Sequence, residues 1–127
     1  MKRLLITGSR SWHQVGKMRE ELKIAYRYLG AGNITLVHGD CEDGADAIAD
    51  LIWTLQFGKE YVERHPANWS LGKKAGFIRN KEMVDTKPDL VLAFQVDRSK
   101  GTQHTIDLTE EAGIELMLFE DFLIPPF

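Results

Sequence analysis

The sequence predicts an α/β chain folded as a Rossmann-like three-layer sandwich, built on a mostly parallel five-stranded sheet of order 3-2-1-4-5. Three observations predict it. Compact apolar runs recur at residues 4–7, 34–37, 89–94 and 114–119. Between the runs, apolar residues fall at helical spacing, and polar, glycine-rich segments follow the runs. Strands alternating with helices imply a parallel sheet covered on both faces, joined by right-handed crossovers.

Taken in order, Leu4, Leu5, Ile6 and Thr7 end at a glycine, as a buried parallel strand does. After a loop over residues 8–14, Val15, Met18, Leu22, Ala25, Tyr26 and Leu29 draw one stripe along a helix that Gly30 and Gly32 stop. Residues 34–37 form the second strand, ending at His38-Gly39. Ile48, Leu51, Ile52 and Leu55 mark a second helix closed near Gly58. Residues 60–64 form a third strand, poorer in hydrophobes and therefore nearer an edge. A polar loop through Pro66 and Trp69 to Gly76 leads into a helix over residues 77–86. Residues 89–94 are the most evident buried strand; a loop ending at Gly101-Thr102, a helix to Ala112 and a last strand from Ile114 complete the series. The tail with Pro125 and Pro126 is expected to lie across the surface.

A length of 127 residues fits one domain, 1–127, with little room for a second. The net charge of -3 gives no general electrostatic reason to expect nucleic acid. Cys41 is the only cysteine, which excludes an intramolecular disulfide and a cysteine-rich metal site. The basic-then-apolar start ends at Thr7-Gly8, too short for an export core or a bilayer span. The expected location is the cytoplasm, with no membrane partner.

In a sheet of this kind ligands bind outside the carboxyl ends of the strands, near the point where strand order reverses. The polar segments lie there. Gly8-Ser9-Arg10 offers amides, a hydroxyl and a guanidinium to a phosphate, although a tight turn with a surface arginine reads equally well. In the segment from His38 to Asp46, Gly39 and Gly44 permit close backbone approach, Asp40 lies between them, and Asp46 opens a helix. A carboxylate there accepts from ribose hydroxyls, or simply stabilises the helix start by roughly 0.3–1 kcal/mol. The acids match no calcium loop, so no metal is expected, and no cofactor is implied. Asn80 shares a helical face with Phe77, Met83 and Val84, so its amide points inward, while Arg79 is placed to close over phosphate. Trp12 and Trp69 sit in loops, where each either stacks on a base or anchors its loop; Trp53 is packing. Gly101-Thr102 forms a second anion seat or an ordinary helix cap. His13, His65 and His104 are scattered through the loops, and Cys41 beside acids lacks the setting of an activated thiolate.

Several of these pieces recur together: Thr7-Gly8-Ser9-Arg10 with Trp12, His38-Gly39-Asp40 with Gly44-Ala45-Asp46, then His65-Pro66-Ala67-Asn68-Trp69. They continue as Gly72, Ala75-Gly76, Arg79-Asn80-Lys81-Glu82-Met83-Val84, the strand after Pro88, and Gly101-Thr102. In this order, over nearly the whole chain, they resemble the YspA-like branch of the SLOG superfamily. Relatives there include the cytokinin-activating phosphoribohydrolases and DNA-processing protein A. The resemblance implies a Rossmann-like fold, a nucleotide-type small molecule as partner, and association into a homodimer. The phosphoribohydrolases carry a catalytic glutamate three residues after the threonine of their Gly-Thr pair; here that position is Thr105, and Asp97-Arg98-Ser99-Lys100 replaces the preceding Pro-Gly-Gly. That activity is therefore not carried over. Phe77 stands where a proline is common in close relatives.

Three functions compete. The first is a binding protein or sensor for a nucleotide or an ADP-ribose-like derivative. The second is an enzyme cleaving an N-glycosidic bond, with Asp46 and Glu82 as the candidate catalytic carboxylates and Asp40 behind them. The third is single-stranded nucleic-acid binding through Lys73, Lys74, Arg79 and Lys81, which the acidic total and absent aromatic interleaving disfavour.

Overall fold

A computed structural model describes residues 1–122. Five strands alternate with four helices: β1 (Lys2–Gly8), α1 (Val15–Tyr28), β2 (Ile34–His38), α2 (Ala45–Phe57), β3 (Val62–Arg64), α3 (Ala75–Asp85), β4 (Leu90–Val96), α4 (Lys100–Glu111) and β5 (Leu116–Asp121). Every strand pair is parallel, and the order is β3-β2-β1-β4-β5, as the alternating pattern predicts. The reversal of strand order falls between β1 and β4, where Gly8 pairs with Phe94.

Burial explains the near-continuous apolar strands. Leu4, Ile6, Leu36, Leu90, Leu92 and Phe94 turn to one face and pack under α1 and α2 with Met18, Leu22, Ala49 and Trp53. Leu5, Val37 and Val91 turn to the other face and meet Met83 and Val84 of α3. Successive side chains of a strand alternate between faces, so each central strand feeds both cores.

The ends of several elements differ from the sequence pattern. The expected strand over 60–64 shortens to Val62–Arg64, because Lys59–Tyr61 winds into a 3-10 turn after Gly58. The third helix starts at Ala75 rather than 77, since Ala75 N–H already bonds back to Gly72 O at 3.1 Å. The last strand starts at Leu116 because Ile114 N–H is still closing α4 on Thr109 O at 3.1 Å. The tail with Pro125 and Pro126 lies outside the described residues. No helix among the described residues is long and apolar enough to cross a membrane.

Close packing of backbone fixes the loop after β1. A Cβ on Gly8 would stand 2.6 Å from Phe94 O and collide with the Ala45 methyl, so β1, β4 and the start of α2 meet without room for a side chain. Gly8→Ala is expected to cost about 1–3 kcal/mol by forced overpacking. A urea melt that matches the native protein would contradict this packing.

Candidate functional site

A cleft of about 500 Å³ opens at the carboxyl edge of the sheet, over the point where strand order reverses. Six segments line it: Thr7 to Ser11 after β1, Gly39 and Cys41 after β2, Asp46 in the first turn of α2, Trp69 and Lys73 beyond β3, the inner side of α3, and Ser99, Gly101 and Thr102 at the start of α4. A second lobe of about 380 Å³ adjoins it, sharing Arg10, Gly39, Cys41, Trp69 and Arg79 and adding Asp40, Glu42, Asp43, Pro66 and Ala67.

The floor between β1 and α4 is a series of bonded hydroxyls. Val96 N–H donates to Ser9 Oγ at 2.8 Å, Ser9 donates to Ser99 Oγ at 2.9 Å, and Ser99 donates to Thr102 Oγ1 at 2.7 Å. Thr102, the last oxygen of the series, lines the cleft. Ser99 is the N-cap of α4 yet gives its side chain to Thr102, and no side chain caps the helix. The first amides of α4 therefore remain open at the cleft, where the helix dipole favours negative charge.

Asp46 sits in the first turn of α2, 5% exposed, with Oδ2 accepting the Cys41 N–H at 3.3 Å. Burial pushes its carboxyl above the ordinary range, against the opposing pull of His38, the Cys41 amide and thiol, and Arg79. Burial, with Asp46 alongside, also pushes the Cys41 thiol up, against Arg79 and Arg10. Cys41 is thus a thiol rather than a thiolate, in keeping with its acidic sequence context.

Arg79 and Asn80 brace the cleft wall. Arg79 Nη1 donates to Gly39 O and, at 3.4 Å, to His65 O, while Nε donates to Asn80 Oδ1 at 3.0 Å. One guanidinium so ties the loops after β2 and β3 to α3. Asn80 is 5% exposed, inward as its helical phase predicts, and donates to Gly101 O at 3.3 Å. Arg10, by contrast, is exposed and forms no hydrogen bond or ion pair among the described residues.

Several predicted site residues lie elsewhere. Trp12 is 3% exposed, edge-on to Phe94 at 5.2 Å, with its indole N–H on Gln14 O, and belongs to the core. Gly44 serves an approach of backbone to backbone: its Cβ would stand 2.5 Å from Arg10 Cα, and it lines neither lobe. Glu82 lies outside the cleft, its carboxylate bonded to His65 Nδ1 at 2.6 Å. Asp40 lines only the second lobe. Gly8, Ser9, Arg10, Gly39, Asp46, Trp69, Arg79, Asn80, Gly101 and Thr102 line the main cleft together. Among the described residues no three His, Cys, Asp or Glu side chains group as a metal site.

Two features escaped the sequence reading. Ser99 completes the hydroxyl series, and its place one residue before α4 was the available signal. His38, 1% exposed, anchors the Gly39–Cys41 loop: Nδ1 accepts the Asp40 N–H at 2.9 Å, and Nε2 donates to Asp50 at 2.6 Å. Asp50 also takes Arg64 through two bonds of 2.8 and 3.1 Å. Burial alone would raise Asp50, but the bonds from Arg64 and His38 outweigh it and hold the carboxyl below its usual range. A depressed folded value gives stability above the unfolded value of about 3.9 that is lost as pH falls through the folded one. Asp50→Asn is accordingly expected to lose about 1–2 kcal/mol at pH 7. That deficit should shrink in urea melts repeated near pH 3; a deficit independent of pH would contradict the assignment.

These features define a class: Rossmann-like α/β proteins with a polar cleft at the switch point of a parallel sheet. Within it, the chain belongs to the YspA, cpYpsA-related SLOG family, whose model matches residues 2–72. It is 40% identical to the Gene 61 protein of Mycobacterium phage D29 over 126 residues, covering 95% of this chain and 98% of that protein. No solved structure matches the chain. Membership suggests nucleotide-related binding or processing in general.

Proposed function

We propose that this protein is a sensor or binding protein for a nucleotide or nucleotide-derived phosphorylated ligand, ADP-ribose-like in outline. The observation that carries the reading is the convergence of Arg10, Asp46, Arg79 and Thr102, far apart in sequence, on one cleft. A phosphate seats against the open amides of α4, the Thr102 hydroxyl and the uncommitted Arg10 and Lys73. Asp46 accepts ribose hydroxyls, Trp69 offers an exposed ring to a base, and the second lobe receives whatever the phosphate bridges to. Arg79 holds the wall that shapes both lobes.

Thermal denaturation against AMP, ADP and ADP-ribose tests the reading. The expected result is a saturable rise in Tm with at least one of them, which Arg10→Gln weakens by about 10–100-fold in affinity. Absence of any shift at millimolar ligand would overturn the proposal.

A second reading, cleavage of an N-glycosidic bond, is favoured by one observation: a buried carboxyl pushed up in its pKa stands inside the cleft at Asp46. It predicts release of free base that Asp46→Asn abolishes. Intact ligand after prolonged incubation removes it.

A further inference from the structure

Two aromatic side chains line the main cleft, Trp69 and Phe77, and they are 58% and 47% exposed. An aromatic ring that only anchors its loop is buried in doing so, as Trp12 is at 3%. Trp69 and Phe77 instead leave ring surface uncovered inside the site.

Next to these rings α3 carries no side chain. Gly76, in its first turn, also lines the cleft, and a Cβ there would meet Trp69 Cη2 at 3.6 Å and Arg79 Nη2 at 3.9 Å. Both are ordinary contact distances, and the backbone at Gly76 is not left-handed, so neither packing nor conformation requires glycine here. Glycine weakens a helix relative to alanine. What the missing side chain provides is open space beside the Trp69 ring and the Arg79 guanidinium, with Phe77 next along the chain.

Both rings are fixed before any ligand arrives. Trp69 opens a 3-10 turn in which Gly72 N–H bonds Trp69 O at 3.1 Å and Asn68 Oδ1 accepts the Ser70 N–H at 3.2 Å. Ala75 N–H then bonds Gly72 O at 3.1 Å and joins that turn to α3. Phe77 packs on the His104 imidazole of α4, with ring centroids 4.5 Å apart. Asn80 orients that imidazole. Its Oδ1 accepts from Arg79, so its amide nitrogen is the atom that donates to His104 Nδ1 at 3.3 Å. A surface ordered in advance binds without the entropic cost of arranging it.

We infer that Trp69, Gly76 and Phe77 form the base seat of the cleft. A planar nucleobase lies over the bare Gly76 against the two rings, leaving Asp46 and Thr102 for ribose and phosphate. Phe77, backed by His104, selects a base-bearing nucleotide over a base-free sugar phosphate. The inference rests on the nucleotide reading above and adds where the base goes and which residues choose it.

Calorimetric titration of the full chain with AMP and with ribose 5-phosphate, the same molecule without its base, tests the seat. AMP should bind about 10–100-fold more tightly, the worth of stacking one base on an aromatic surface. Gly76→Leu, which fills the seat, should bring AMP down to the affinity of ribose 5-phosphate while leaving the latter and the Tm unchanged. Phe77→Leu keeps apolar bulk without a π face and should cost AMP about 10-fold, whereas Phe77→Tyr should retain the native preference. Fluorescence gives a second readout. Trp12 and Trp53 are buried, so of the three tryptophans acrylamide quenches Trp69, which AMP should protect and ribose 5-phosphate should not. Equal affinity for the two ligands overturns the seat and leaves the phosphate site standing. So does an AMP preference unmoved by Gly76→Leu, or quenching undiminished at saturating AMP. Binding of neither ligand overturns the nucleotide reading itself, and the seat with it.

Discussion

Replacing Gly44 with alanine is expected to destabilise the fold by about 3 kcal/mol, enough to lower Tm by roughly 10 °C. Two costs add. Gly44 adopts φ +78, which an L side chain resists by about 1–2 kcal/mol. Its new methyl would also stand 2.5 Å from Arg10 Cα and collide with Ser9 O, backbone atoms that cannot rotate aside. They are held in place because Ala45 N–H bonds Ser9 O at 3.2 Å and Ser9 N–H bonds Phe94 O at 2.9 Å. Relief would pull the loop after β1 off the start of α2 and open the cleft from below. Gly16→Ala is the control: nothing lies within 4 Å of its Cβ on exposed α1, so it should stabilise by about 0.5–1 kcal/mol. Comparable melting of the two variants would mean the β1 and α2 loops do not touch as described.

Asp46→Asn is expected to move binding and stability in opposite directions. Ligand affinity should fall by at least about 10-fold, since the amide replaces one of the two carboxyl oxygens offered to ribose hydroxyls with a donor. Tm should meanwhile rise by a few degrees, a gain on the order of 1 kcal/mol. A folded pKa raised by burial means that Asp46 contributes stability below its unfolded value, near 3.9, and loses it as pH climbs through the folded value. At neutral pH the buried acid is therefore a cost that asparagine removes, while its Oδ1 can still accept the Cys41 N–H. The stability gap should close in melts near pH 3.5. Parallel loss of binding and stability would show instead that Asp46 is a structural bond and nothing more.

The fold was legible because each element repeats one message. Central strands buried on both faces read as unbroken apolar runs, and α1 read as a single stripe. Boundaries were less legible where a local turn competes, as at Lys59–Tyr61, which takes residues the pattern assigns to a strand. Asn80 was found from helical phase alone, since phase decides which way a side chain points. Trp12 misled because a loop position does not reveal direction: the chain folds its ring back onto Phe94. Glu82 misled for a related reason, as its partner His65 lies 17 residues away and only the docking of α3 brings them together. The bonds from His38 to Asp50 and from Ser9 to Ser99 are likewise tertiary, and residue type announces neither.

The central position of β1 has a kinetic consequence. Arg10, Asp46 and Asn80 precede β4 in the chain, but their counterpart Thr102 arrives only once β4 has paired beside β1, across 86 residues of sequence from Leu4 to Leu90. Closing so long a loop comes late, because its entropy must be spent before the pairing repays it. A growing or clipped polypeptide ending before β4 would lack the wall made by Ser99, Gly101 and Thr102, with no hydroxyl series and no second helix start. Occupancy by any ligand then reports that the last strands are in place, and it would favour finished molecules over partly made ones.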